Sequence, residues 1–286
     1  YSYEGGHRAE VVMPDMGHRV EGLVNAISEA VAETDEELMD KYFSGEQFTM
    51  LELIRGIHKG IFEGTITPVF CGSATNLEGL SLLMGAMVSM LPSAAEVAKE
   101  EGVSGDDIVE VECDASAPTV AYVFKTIADP FVGKLSYVKV VAGKLTPDAE
   151  LINMTTGQPE KLGKLLYVRG KKQEETKEVP AGDICAVSKL LANTGDTLCS
   201  PKRKVVLSKA EFPAPCYSRT IVPVGKGDES KISQGVARLL EEDPTLSYTL
   251  NTETKEQIIS GLGEQHLDVT IAKLKNKFGV DVKLEA

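Results

Sequence analysis

The spacing of apolar residues changes twice along this chain, and no other feature limits its fold more. In the first third, Val20, Leu23, Val24, Ile27 and Val31 recur at helical intervals, so one helix face is apolar. Between residues 119 and 190 the pattern becomes short runs rich in Val, Ile, Tyr and Phe: Thr119–Ala128, Leu135–Ala142, Leu151–Met154, Lys161–Val168 and Asp183–Leu190. Asp129-Pro130, Thr156-Gly157, Pro180-Ala181-Gly182-Asp183 and Thr194-Gly195-Asp196 supply turns between them. Short strands so closely spaced predict a closed β-barrel or a sandwich.

The last third alternates element types. A strand is expected over Tyr217–Val224, then a helix with Ile232, Val236, Leu239 and Leu240 on one face. Strands over Ser247–Leu250 and Gln257–Gly261 follow, joined by Asn251-Thr252-Glu253-Thr254. A second helix carries Leu267, Ile271, Leu274 and Phe278, Gly279 ends it, and Val280–Leu284 closes the chain as a strand. The order βαββαβ is the ferredoxin-like, split-βαβ arrangement. Three such patterns in 286 residues predict a multidomain protein.

The first third contains two capping signals, Thr34-Asp35-Glu36-Glu37 and Thr49-Met50-Leu51-Glu52, and Gly60 is placed to end the helix that the latter starts. Ile66–Cys71 reads as a strand, Gly72-Ser73-Ala74-Thr75-Asn76 as a loop, and Leu77, Leu80, Leu83, Met84, Met87 and Leu91 as the apolar face of a helix that Pro92 stops. Strand, loop and helix suggest the last α/β unit of a larger sheet. Residues 93–107 are rich in Ala, Glu, Gly and Asp, lack a sustained apolar face, and read as a linker.

Charge divides along the same lines. The net charge of −13 weighs globally against nucleic acid, because phosphate contacts need clustered cations. Residues 1–104 hold 6 basic and 17 acidic side chains, residues 105–210 hold 15 and 14, and residues 211–286 hold 9 and 12. The acidity is therefore local to the first third. The five cysteines show no CxxC spacing, and the four histidines are scattered without HExxH, so no metal site is expected. An odd cysteine count without a secretion signal suits reduced cytosolic thiols and a cytoplasmic location. No 18-residue run is wholly apolar, so no membrane partner is expected.

No nucleophile–base arrangement is visible, and GxxxxGK[ST] is absent. Gly225-Lys226-Gly227-Asp228 lacks the spacing of a phosphate loop, and Asn276-Lys277 is followed by Phe278-Gly279 without the acid a guanine-reading motif needs. This chain alone is expected to have no catalytic residue and no hydrolytic activity.

Three places remain as candidates. Gly72, Ser73 and Ala74 could offer backbone N–H groups to a ligand, though the tripeptide alone reads as a plain turn. Arg169-Gly170-Lys171-Lys172 could contact RNA phosphates, or be a solvated hairpin near Glu174, Glu175 and Glu178. Gly261, Gly263, Glu264 and His266 surround a helix start, where a carboxylate complements the dipole or serves an interface. The acidic run Glu241-Glu242-Asp243-Pro244 opposes its helix dipole, which suits either a solvated end or an interface.

These motifs in this order resemble elongation factor G. Asp129-Pro130-Phe131-Val132-Gly133-Lys134-Leu135, Gly143-Lys144-Leu145, Ala181-Gly182-Asp183-Ile184 and Thr194-Gly195-Asp196-Thr197-Leu198 look like its second-domain barrel. Glu241-Glu242-Asp243-Pro244-Thr245 and Ile259 to Leu267 look like its third domain. Lys41-Tyr42-Phe43-Ser44-Gly45-Glu46 and Ile66 to Ala74 resemble the G-prime insertion and the last guanine-contacting loop of its GTPase domain.

The resemblance implies residues 1–92 as G-prime and the end of a GTPase domain, 93–107 as linker, 108–210 as domain II and 211–286 as a ferredoxin-like domain III. It also implies a longer parent, with the P-loop and switches before Tyr1, that binds GTP and magnesium and drives a ribosomal step. Translocation is the expected step. Ribosome recycling, ribosomal protection, or a non-enzymatic ribosome-interaction module for this chain alone are the alternatives. Ser73 and Ala74 would touch guanine, the acidic first third a large-subunit stalk protein, and the barrel ribosomal RNA; no DNA contact is implied. Two stretches depart from the family: Gly261-Leu262-Gly263-Glu264-Gln265-His266-Leu267-Asp268 for the usual GMGELHLE, and Tyr167-Val168-Arg169-Gly170 for an RMHAN-like run. Both point to a divergent paralogue.

Overall fold

The computed structural model describes all residues except 1, 5, 6, 10, 11, 13–15, 98, 130–132, 226–228 and 286. Pro130 in the expected turn and Lys226-Gly227-Asp228 in the glycine–lysine cluster lie outside the described residues. The chain forms two units, Tyr1–Val97 and Ala98–Ala286.

The first unit opens with a hairpin, β1 (Ser2–Glu4) and β2 (His7–Ala9), followed by α1 (His18–Ala32), α2 (Glu36–Phe43), α3 (Met50–Glu63), α4 (Leu80–Met90) and the single turn α5 (Ala94–Val97). Thr49 and Glu52 form the expected capping box at α3. The other cap differs. Asp35 is the N-cap of α2, accepting from the Glu37 N–H, while the Thr34 hydroxyl turns back and donates to the Val31 carbonyl. Gly60 does not end α3; Gly64 does, in the left-handed conformation at φ 75°. Gly60 is instead a contact point, because a Cβ there would lie 2.5 Å from Ile66 Cδ1. Gly56 does the same for the crossing with α1, where a Cβ would meet Val31 Cγ1 at 2.4 Å.

Residues 66–71 form no strand. No neighbouring strand exists among the described residues to accept the ladder, and a β-strand is defined by its partner. The expected α/β unit is thus present only as loop and helix. The helix α4 is apolar around its surface and little of it is covered: Leu80, Met84, Met87 and Val88 are all exposed. The window Leu80–Val97 is apolar enough to cross a membrane by length and composition. Pro92 nevertheless breaks it into helices of 11 and 4 residues, each far short of a bilayer.

Residues 93–107, expected as a linker, carry α5 and the strand β3 (Lys99–Ser104). β3 lies between β4 (Asp107–Glu112) and β15 (Val206–Leu207). Its side chains are mostly polar, which hides the strand from a reading of hydrophobicity. Backbone pairing on both sides supplies the order, and Gly102 admits β15 so closely that a Cβ would sit 2.5 Å from Val205 Cγ1.

The barrel follows, as β5 (Val120–Asp129), β6 (Gly133–Ala142), β7 (Lys144–Leu145), β8 (Glu150–Asn153), β9 (Pro159–Lys161), β10 (Leu165–Arg169), β11 (Lys172–Thr176), β12 (Val179–Pro180), β13 (Ile184–Ser188) and β14 (Thr197–Cys199). Eight of these pair in the order β11-β10-β13-β6-β5-β14-β8-β9, and β7 pairs with β12. Alternate residues point inward onto one core of Val123, Val138, Val140, Leu151, Leu165, Val187 and Leu198, to which the β7–β12 ribbon adds Leu145 and Val179. The run expected as one strand over Lys161–Val168 splits at Gly163, where the backbone passes so close to Ser188 that a Cβ would lie 2.5 Å from its carbonyl oxygen. Buried Asp196 holds the Thr194-Gly195-Asp196 turn, accepting from Asn153 Nδ2 at 2.9 Å and the Asn193 N–H at 2.8 Å.

The chain ends as expected: β16 (Tyr217–Pro223), α6 (Glu229–Glu242), β17 (Ser247–Leu250), β18 (Gln257–Gly261), α7 (Glu264–Phe278) and β19 (Val282–Glu285). The sheet order β17-β18-β16-β19 is antiparallel throughout. Ile232, Val236 and Leu239 of α6 and Leu267 and Leu274 of α7 pack on Ile221 and Ile259 of the sheet. This is the ferredoxin-like layer of two helices on one sheet face.

Candidate functional site

Around Gly72-Ser73-Ala74 the chain crosses itself. The Ser73 N–H donates to the Glu78 carbonyl at 3.0 Å, and the Ser73 hydroxyl accepts from the Asn76 N–H at 3.2 Å. Gly72 and Gly79 permit the crossing: a Cβ on the first would meet the Glu78 oxygen at 2.7 Å, and the second sits at φ 77°. A cavity of about 230 Å³ lies against the loop, lined by Phe70, Cys71, Ser73, Ala74, Leu80 and Leu83. Its walls are mainly apolar. α4 starts at Leu80, six residues after Ala74, and its N-cap Gly79 and first residue border the same cavity.

The basic cluster lies on a hairpin. Arg169 pairs with Lys172 across the turn between β10 and β11, and Gly170 takes φ 60° at its first central position. Arg169 stands 3.6 Å from Glu174, and Lys164 forms an ion pair with Glu175. Lys171 and Lys172 have no ion-pair partner among the described residues. At its foot, the Tyr167 hydroxyl donates to Asp183 at 2.7 Å, a bond that pushes the phenol up to about 12. Tyr137, Tyr167, Arg169, Asp183 and Ile184 line a cleft of about 330 Å³ beside the hairpin.

In the third domain the structure separates the four candidate residues. The Leu262 N–H donates to His266 Nδ1 at 3.0 Å, so the ring proton sits on Nε2, which donates to Asp243 at 3.0 Å. Gly261 makes room, since a Cβ there would lie 2.8 Å from Nδ1. Gly263 has open space around it, and Glu264 only complements the first turn of α7. Asp243 also accepts from the Thr245 N–H and hydroxyl. Burial raises its pKa, but these bonds and His266 outweigh burial and hold the carboxyl below its usual range.

Glu242 settles the reading of the acidic run in favour of an interface. One oxygen accepts from Lys273 at 3.0 Å; the other accepts from Lys277 at 2.7 Å and from the Ala128 N–H of the barrel at 3.2 Å. Lys277 also donates to the Ala128 carbonyl at 3.4 Å. Burial pushes the Glu242 carboxyl up, and its three donors more than offset that, leaving it lowered. The side chain is 12% exposed, so this is a largely desolvated tie between barrel and third domain. Two residues here, Lys273 and Lys277, were not legible as a site. Their i,i+4 spacing on α7 is the only signal, and it is common on solvated helix faces.

Among the described residues no cluster of His, Cys, Asp and Glu could hold a metal ion. Burial pushes the Cys185 thiol up to about 12, which makes it inert.

Comparison with known proteins matches this geometry to two consecutive domains. Residues 118–201 match the family described as Elongation factor G domain 2, and residues 212–286 match Elongation Factor G, domain III. Elongation factor G of Thermotoga maritima is 39% identical over 259 residues, covering 90% of this chain and 37% of the relative. That of Thermotoga petrophila is 40% identical over the same length and shares. A crystal structure of a protein from Thermus thermophilus superposes with a TM-score of 0.82 at 30% identity, covering 100% of this chain and 41% of that one. The chain therefore spans little more than a third of the curated relatives it matches. With both domains present and in order, it belongs to the elongation factor G family.

Proposed function

We propose that this chain is a ribosome-engaging segment of an elongation-factor-G-like translational GTPase, whose whole protein couples GTP hydrolysis to translocation. The observation that supports this best is the ordered pair of elongation factor G domains, locked together through Glu242. On this reading, residues 108–210 are domain II and residues 211–286 domain III. Residues 1–92 are the G-prime insertion and the end of the GTPase domain, followed by a short connecting region. GTP and magnesium belong to the whole protein, which works in the cytoplasm. Gly72, Ser73 and Ala74 contribute one face of the guanine site, and the apolar face of α4 is where the rest of a GTPase sheet would sit. The acidic first third faces a large-subunit stalk protein. Gly261, Glu264 and His266, with Asp243, set the α6–α7 end of domain III at its interface, and Gly263 contributes backbone only. Arg169, Lys171 and Lys172 meet ribosomal RNA phosphates.

Nucleotide titration and ribosome sedimentation test the two halves of this proposal. The chain by itself is expected to sediment with bacterial ribosomes and to show no submicromolar GTP binding, since no P-loop is present. Charge reversal at Arg169, Lys171 and Lys172 is expected to weaken sedimentation by about tenfold at low salt and less at high salt. Tight GTP binding, or ribosome affinity that is absent at every salt concentration, would overturn the assignment.

A further inference from the structure

In a chain of net charge −13, residues 197–210 contain Lys202, Arg203, Lys204 and Lys209 and no acid at all. Lys209 lies 3.7 Å from Asp196. Lys202, Arg203 and Lys204 form no ion pair among the described residues, and Lys202 and Lys204 are exposed. This contrasts with the hairpin at Arg169, whose cations stand among Glu174, Glu175 and Glu178.

Beside this loop runs an open groove of about 820 Å³. Ser116, Thr119, Lys144, Ser200 and Lys202 bring hydroxyls and ammonium groups to it, and none of its lining residues is aromatic. Its floor is rigid: the Ser200 N–H donates to the Thr119 carbonyl at 2.9 Å, the Arg203 N–H to the Ser200 carbonyl at 3.0 Å, and the Thr119 hydroxyl to the Lys144 carbonyl at 2.9 Å. The Ser200 hydroxyl is buried and has no hydrogen-bond partner among the described residues. A hydroxyl left in that state is costly. The nearby carboxylate, Asp114, is already occupied by the Ser116 N–H and hydroxyl. Lys144 reaches Glu178 at 3.2 Å with both side chains more than half exposed, a pair water competes with easily.

We propose that the Lys202–Lys204 loop and its groove form a second RNA contact, gripping the sugar–phosphate backbone of a duplex. Unpaired cations in a row neutralise successive phosphates, which fixes position on a duplex without reading its sequence. A single-stranded partner would need aromatic platforms for its bases, and the groove has none. That the duplex is ribosomal rests on the function proposed above; that it is a duplex backbone rests on this groove.

The experiment measures binding of the wild-type chain, K202E/R203E/K204E and K171E/K172E to a 20-base-pair RNA duplex and to ribosomes between 50 and 200 mM salt. The first variant is expected to lose about tenfold in duplex affinity at low salt and to flatten the slope of log K against log salt by roughly 2, as the loss of two to three phosphate contacts requires. K202Q/R203Q/K204Q should show the same change in slope with less repulsion, and serves if the reversed variant melts early. An unchanged slope in a folded variant overturns the proposal. So does a variant that loses binding to poly-glutamate but keeps its RNA affinity, which would make the loop a protein contact. A wild-type chain that grips the duplex through this loop yet fails to sediment with ribosomes leaves this inference standing and sinks the ribosomal reading. Binding to neither overturns both.

Discussion

In the barrel, Val123, Val138, Val140, Leu165 and Leu198 are almost wholly removed from water; in α4 of the first unit, Leu80, Met84, Met87 and Val88 stand in it. Both sets of residues are apolar and sit in regular elements. The difference is closure. The barrel strands and their connections bring fourteen buried side chains to one core, whereas the buried apolar side chains of the first unit, among the described residues, are Val31 and Ala32. Periodicity names the face that avoids water, but a face becomes a core only when a second layer exists to cover it. Exposed large apolar patches of this kind mark places where something else binds.

The largest test of that contrast is a matched pair of truncations. Leu165→Ala should cost the barrel roughly 2–5 kcal/mol, while Met84→Ala should change the first unit by less than about 0.5 kcal/mol. Hydrogen exchange resolved by segment distinguishes them. Equal effects would mean that α4 is covered after all.

Next in size is the tie within the second unit. Glu242→Ala strands Lys273, Lys277 and the Ala128 N–H, and should cost roughly 2–3 kcal/mol with faster exchange at Ala128. Glu242→Gln, which can still accept from Ala128, should cost less. A barrel whose exchange is untouched by either would show that the two domains fold without this contact.

Backbone strain ranks third. Gly143 sits at φ 70°, with a Cβ position 2.6 Å from the Ala117 carbonyl oxygen. Gly143→Ala should therefore destabilise the barrel by roughly 1–3 kcal/mol. Gly64→Ala is at φ 75° but meets nothing within 4 Å. It should cost only about 1 kcal/mol, the bare penalty of the left-handed conformation.

The smallest effect is that of pH. Glu242 and Asp243 have folded-state pKa values below those of free carboxylates. Their contribution to stability is therefore complete above the ordinary carboxylate range and is lost as pH falls through the lowered folded values. In the first unit, hydrogen bonds from Lys41 and Thr49 draw Glu52 down to about 2, and those from Ser93 and His58 do the same for Glu96. Melting between about pH 5 and pH 2 should show both units weakening, with E242Q/D243N flattening the dependence in the second unit only.

Several elements were legible because their cause is local. The Thr49–Glu52 capping box needs four consecutive residues, and βαββαβ needs only the alternation of period 3.6 and period 2. Those that were missed depend on a neighbour. Strand β3 was hidden by Lys99, Glu100 and Glu101, strand β11 by the polar run Lys172–Thr176 at the sheet edge, and neither has an apolar alternation to show. The strand expected over Ile66–Cys71 had the composition but no partner among the described residues. Of the candidate sites, the Ser73 loop and the Arg169 hairpin were visible as turns with chemistry. The His266–Asp243 bond spans 23 residues and the Glu242–Ala128 bond spans 114, beyond any local pattern.

The amino-acid sequence by itself determined the capping box at Thr49, the βαββαβ order of the last third and the family, because propensity, capping and hydrophobic period act over a few residues. Only the tertiary structure decided which apolar faces became cores, which acids became ties between domains, and which cations remained unpaired beside an open groove. Those outcomes depend on what lies across a gap in space, and burial and pairing energies are set there rather than along the chain.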